Sequence, residues 1–142
     1  MMKIAKEFNW EMGHRLKNHN GLCRNLHGHS YKMRVELEGE IAADSMLMDY
    51  YELTQIVSKV IEPFDHSFLV EKSDDITLNF LQENNFKCVV VPFVSTAENL
   101  CEFFANEIKK SLIQHENIKN LTVRICETTD VFAEIKIKIN SF

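Results

Sequence analysis

Residues with chemical potential gather in one stretch of the chain. His27-Gly28-His29 places two imidazoles at i and i+2, and on an extended chain such residues point to the same side. Two imidazoles on one side can grip one ion, and Gly28 lets the backbone bend close to it. His14, at the end of an earlier strand-like run, offers a third ligand. Three histidines with an open fourth position form a catalytic zinc arrangement, whereas structural zinc sites close all four positions, most often with cysteine. Cys23 lies four residues before His27. It can act as a base or nucleophile beside the metal, or as a fourth ligand that closes the site, and spacing alone leaves both open. Imidazole ligands also suit several divalent ions besides zinc. His19 reads as a loop residue and His115 as a helix-end cation.

Three further features carry chemical potential, two of them elsewhere in the chain. Asp65-His66 pairs a carboxylate with an imidazole, and such a hydrogen bond fixes the imidazole tautomer. The other reading of that dipeptide is turn chemistry. Glu127 ends a strand-like run. A carboxylate there is solvated or accepts two parallel hydrogen bonds from an amidine-like edge, such as a pterin or guanine offers. From Gly13 to Arg34 there are five Lys or Arg residues (Arg15, Lys17, Arg24, Lys32, Arg34) and no Asp or Glu. In a chain of net charge −5, that segment suits a phosphate group or a solvated basic face.

These residues need elements to position them. Tyr31 to Glu38 alternates apolar and charged side chains, as a half-buried strand does. Lys3 to Trp10, Leu121 to Cys126 and the run through Ala133, Ile135, Ile137 and Ile139 read as three more strands. Leu53, Ile56, Val57, Val60 and Ile61 make a helical stripe that Pro63 closes. A second helix begins at Ser95, where Ser95 and Glu98 match a capping box. Asp74 to Val91 reads as an extra short helix and strand. The expectation is an α+β domain spanning 1–142, a four-stranded antiparallel sheet with two helices packed on one face.

Composition sets the outer bounds. At 142 residues the chain suits one core, and its 45% apolar content is ordinary for a globular protein. The acidic balance argues against general nucleic-acid binding. No apolar run approaches the roughly 18–20 residues of a membrane span. The absence of an apolar leader, with four scattered cysteines, points to free thiols and a cytoplasmic location.

Taken in order, Gly13-His-Arg-Leu16, Cys23-Arg-Asn-Leu-His-Gly-His-Ser-Tyr31, Phe64-Asp-His-Ser-Phe-Leu69, Ser95-Thr-Ala-Glu-Asn-Leu100 and Cys126-Glu-Thr128 resemble the 6-pyruvoyl-tetrahydropterin synthase family. The branch most similar is 6-carboxy-tetrahydropterin synthase, which serves queuosine biosynthesis, because the gap from Cys23 to His27 matches its spacing. The resemblance implies that His14, His27 and His29 bind Zn²⁺, that Cys23 is the catalytic cysteine, that Asp65 and His66 are the acid/base dyad, and that Glu127 anchors the pterin. Thr96 falls in the segment lining the pterin pocket, and Arg15 and Arg24 are the expected triphosphate contacts.

It further implies a tunnelling fold, in which sheets from several subunits join into a barrel and a dimer of trimers forms the hexamer. The implied activity is that of a zinc-dependent lyase. It converts 7,8-dihydroneopterin triphosphate to 6-carboxy-5,6,7,8-tetrahydropterin, acetaldehyde and triphosphate. The alternatives are the pyruvoyl product, an aldolase-like cleavage of dihydroneopterin, and a non-catalytic zinc-stabilised assembly module. The chain departs from the family in having Ser45 to Tyr50 where a Gly-containing stretch ending in Asp-Phe is common, and in a longer 74–91 segment.

Overall fold

Two long strands form the spine of the molecule, a computed structural model that describes residues 1–141. Strands β1 (Met2–His14) and β2 (His27–Gly39) pair antiparallel over their full length, from Met2 opposite Gly39 to His14 opposite His27. Strand β5 (Ile118–Cys126) pairs antiparallel with the other side of β2, and β6 (Ala133–Lys138) with β5. These are the four strands that the alternation in the sequence outlines.

The sheet is larger than four antiparallel strands, which corrects that expectation. It is a six-stranded mixed sheet in the order β4-β3-β1-β2-β5-β6. Strand β3 (Ser67–Glu71) runs parallel to the end of β1 at Met12 and Gly13, and β4 (Cys88–Val91) runs parallel to β3. Both additions are short runs, β3 largely buried and β4 half-exposed, and neither is long enough to show a period of two. Parallel neighbours need a crossover. Helix α2 (Asp75–Glu83) supplies it, a third helix beside the two main ones and packed at the β3–β4 end of the sheet. The 74–91 segment is thus a helix and an edge strand, as its pattern suggested. Phe142 lies outside the described residues.

Helices α1 (Tyr50–Ile61) and α3 (Ala97–Leu112) bury the stripes that their spacing marks out, Leu53, Val57 and Ile61 on one and Leu100, Phe104 and Ile108 on the other. Opposite them lie Trp10 and Met12 of β1, Tyr31 to Leu37 of β2, and Leu121 to Ile125 of β5 at every second residue. Trp10 stacks on Tyr31 with ring centroids 5.2 Å apart, and Phe104 meets Trp10 edge-on at 5.3 Å. The start of α3 differs from the sequence reading. Thr96, not Ser95, is its N-cap, its Oγ1 accepting from the Asn99 N–H. Ser95 is drawn away by a buried histidine described below. All four cysteines are free thiols.

Candidate functional site

The site grows out of the core by simple parity. On β1 the buried positions Phe8, Trp10 and Met12 are followed, two residues on, by His14. On β2 the buried face of Tyr31, Met33 and Val35 continues backwards into His29 and His27. On β5 the face of Leu121, Val123 and Ile125 continues into Glu127. Successive residues of a strand alternate faces, so polar groups at the ends of three core-facing rows must meet at one end of the buried layer.

They meet closely. One ligand atom from each of His14, His27 and His29 lies within 4.8 Å of the other two. The Nε2 atoms of all three rings are buried and have no hydrogen-bond partner. The opposite ring nitrogens explain the orientation. His14 Nδ1–H donates to the Ser95 carbonyl oxygen (3.0 Å) and to Ser95 Oγ (3.1 Å), and His27 Nδ1–H donates to the Asn25 carbonyl oxygen (2.7 Å). A carbonyl oxygen only accepts, so Nδ1 carries the proton and the Nε2 lone pair is left facing the cluster. Burial, and then repulsion from His27 and His29, holds the His14 pKa down to about 4. Burial also lowers that of His29, although the nearby Glu127 carboxylate opposes this. Three imidazoles whose buried Nε2 atoms converge without a partner fit a divalent metal ion, and His14 and His27 carry the outer-sphere hydrogen bonds usual for such ligands. Cys23 is not a member of this cluster.

Glu127 Oε2 sits 3.6 Å from His29 Nε2, beyond a hydrogen bond. Its carboxylate borders two cavities. One, of about 270 Å³, is shared with Thr96, Leu16 and Phe132, and the other, of about 590 Å³, with Asn9, Cys126 and Thr128. Tyr31 lies beneath the histidines with its hydroxyl buried, and burial pushes its pKa well up.

Asp65 and His66 occupy the turn between α1 and β3. Asp65 Oδ1 accepts from His66 Nδ1–H (2.9 Å) and from the Glu11 backbone N–H (3.0 Å). The Glu11 hydrogen bond, and then His66, hold the Asp65 pKa below its ordinary value. His66 returns its own N–H to the Glu11 carbonyl at 2.7 Å, which keeps it in a left-handed conformation with φ 57°. That conformation costs a non-glycine residue energy and is a common signature of functional positions. His66 and His29 border the same cavity of about 350 Å³, together with Glu11 and Ser30.

Cys23 lies on a 3-10 turn, Leu22–Arg24, and is half-buried. Its carbonyl accepts from the Leu16 N–H at 2.8 Å. Arg15 and Arg24 border a polar cavity of about 450 Å³ with Asn20, Gly21 and Asn25. The Arg15 guanidinium is already engaged, with Nε and Nη2 donating to the two oxygens of Asp74 at 2.7 and 2.8 Å. Sequence reasoning missed Ser95 and Asn25 as holders of the histidines. No local signal marks a backbone carbonyl as a ligand support. It also missed Glu11, whose backbone ties down the dyad from 54 residues away.

Comparison with known proteins supplies the family. The chain is 38% identical to a 6-carboxy-5,6,7,8-tetrahydropterin synthase from Haemophilus influenzae, covering 94% of this chain and 98% of that one. It is 31% identical to the enzyme of that name from Aquifex aeolicus, covering 94% and 97%. Its fold superposes on the 6-pyruvoyl tetrahydropterin synthase of Plasmodium falciparum with a TM-score of 0.78, at 19% identity, over 97% of this chain and 98% of the other. The family model for 6-pyruvoyl tetrahydropterin synthase matches residues 3–138, and the chain belongs to that family.

Proposed function

We propose that this protein is a 6-carboxy-5,6,7,8-tetrahydropterin synthase. It takes 7,8-dihydroneopterin triphosphate and water to 6-carboxy-5,6,7,8-tetrahydropterin, acetaldehyde and triphosphate. The observation that carries the reading is the trio of buried Nε2 lone pairs of His14, His27 and His29, bordered by Glu127 on one side and by the cavity of His66 on the other. The choice of branch rests on the names of the relatives and on the Cys23–His27 spacing.

In this reading His14, His27 and His29 hold a zinc ion, whose Lewis acidity makes the side-chain hydroxyls of the substrate easier to deprotonate. Glu127 accepts two N–H donors from the pterin edge and fixes the ring. Thr96 borders the same recess. Cys23 removes a proton from the side chain as thiolate. His66, oriented through Nδ1 by Asp65, gives and takes protons at Nε2. Arg24, and Arg15 beyond its pair with Asp74, meet the triphosphate. The outer edges of β6 and of β1 before Met12 pair with no strand among the described residues, which supports closure into a barrel of subunits and a hexamer of two trimers. Residues 1–142 act as one domain. Among the described residues no helix is long and apolar enough to cross a membrane, and the setting proposed is the cytoplasm, in the supply of queuosine precursors.

The test is incubation of zinc-loaded protein with 7,8-dihydroneopterin triphosphate under reducing conditions, with products identified by mass spectrometry. Carboxy-tetrahydropterin with acetaldehyde is expected. A pyruvoyl product would move the protein to the sister branch, and intact substrate with tightly bound zinc would overturn the enzymatic reading.

A further inference from the structure

The segment between β3 and α3 touches both parts of the machinery assigned above. At its start, Asp74 is buried and takes the Arg15 guanidinium in a two-point ion pair. Such forked pairs fix direction as well as distance. Arg15 Nη1 reaches on to the Arg24 carbonyl at 3.5 Å, inside the turn that carries Cys23, and the Arg15 carbonyl accepts from Ser95 Oγ at 3.3 Å. The neighbouring Ser73 carbonyl accepts from Lys17 Nζ at 3.0 Å. Two cationic side chains of the cysteine loop are thus moored to consecutive residues, 73 and 74.

At the other end of the segment, Lys87 Nζ donates to the carbonyls of Asp65 (2.7 Å) and Glu62 (3.2 Å), and the Lys87 carbonyl accepts from the Phe68 N–H (3.0 Å). These contacts grip the turn that carries Asp65 and His66 from both sides. That turn includes His66 in its left-handed conformation, which persists only where surroundings impose it. Between the two moorings lies α2, and β4, which begins directly after Lys87, pairs parallel with β3.

We propose that the 72–91 segment is a brace that sets the thiol of Cys23 and the Asp65–His66 dyad in register. Asp74 is the positioning residue for the first, acting through Arg15, and Lys87 for the second. The proposal rests on the pterin-synthase reading for its kinetic arm alone.

The test compares zinc-loaded wild type with Asp74→Asn, Asp74→Glu, Lys87→Met and Lys87→Arg by peptide-resolved hydrogen exchange and steady-state kinetics. Asp74→Asn is expected to speed exchange in residues 15–26, where the Leu16, Arg24 and Asn25 amides are hydrogen-bonded, and to leave 62–68 unchanged. Lys87→Met is expected to do the reverse. Each is expected to lower kcat by about tenfold or more, as sub-ångström misplacement does, and for Lys87→Met, which touches no proposed substrate contact, with KM changed by less than about twofold. Asp74→Glu and Lys87→Arg are expected to restore part of kcat. Unchanged kcat, or exchange that rises evenly across the sheet, would overturn the brace. Should Asp74→Asn fail to fold, Lys87→Met carries the same test. Absence of pterin turnover in wild type would overturn the functional reading, while the exchange pattern would still decide whether the segment holds the two loops.

Discussion

Replacing Asp74 by Asn is expected to cost the folded protein about 2 kcal/mol near neutral pH and progressively less in acid. The side chains of Asp74 and Arg15 are 5% and 18% exposed, so solvent screens their interaction little. Arg15 holds the Asp74 carboxyl at about 2, against an ordinary 3.8. At roughly 1.36 kcal/mol per pH unit, that difference corresponds to about 2 kcal/mol. Because the folded-state value is the lower one, the contribution is fully present well above 3.8 and is lost as pH falls towards 2. By linkage it should have dropped by nearly half near pH 3. Asn preserves the helix cap, since Asp74 also accepts from the Thr77 N–H and Asn caps about as well. The substitution therefore spares the cap and removes the charge together with one of the two acceptors of the Arg15 fork. Urea unfolding of wild type and Asp74→Asn in the presence of a chelator, followed by circular dichroism from pH 7 to 3, measures the gap. Equal gaps at pH 7 and pH 3, or no gap at pH 7, would refute the ionic account of this contact.

Three further outcomes are expected. Cys23→Ala should abolish turnover and retain one zinc per chain by metal analysis, whereas loss of zinc would make Cys23 a ligand. Ser95→Ala removes one of the two acceptors on His14 Nδ1 and leaves the carbonyl. Metal affinity in chelator competition should weaken by about tenfold, the lower end of what outer-sphere losses cost. Phe104→Ala empties the ring contacts with Trp10 and Phe64 at the centre of the core and should destabilise by about 3–5 kcal/mol in denaturant titration.

Much of the architecture was legible in the sequence because it rests on local periods. Tyr31 to Glu38 alternates because one face of β2 is covered and the other is not. The stripes of α1 and α3 recur every three to four residues because each helix is covered along one side. His27 and His29 belong to that same local grammar, and their spacing alone sends both rings to one side. Strand β3 left no such mark, because the apolar run from Phe68 to Val70 is too short to show a period, whereas β4 falls in the 74–91 segment that read as a short helix and strand.

What the tertiary structure alone decided is which distant groups each side chain meets. Ser95 and Glu98 satisfy a capping pattern, yet Ser95 serves the buried His14, because an imidazole nitrogen inside the core needs a partner more than an exposed helix end does. Arg15 reads as a free cation in a basic segment, yet Asp74, 59 residues away, occupies its guanidinium. Glu127 becomes a neighbour of His29 only because the register of β5 on β2 aligns their rows. Residue type and spacing determined which groups were capable of chemistry. Pairing across the sheet determined their partners, because hydrogen bonds and ion pairs depend on position in space, and sequence separation does not encode it.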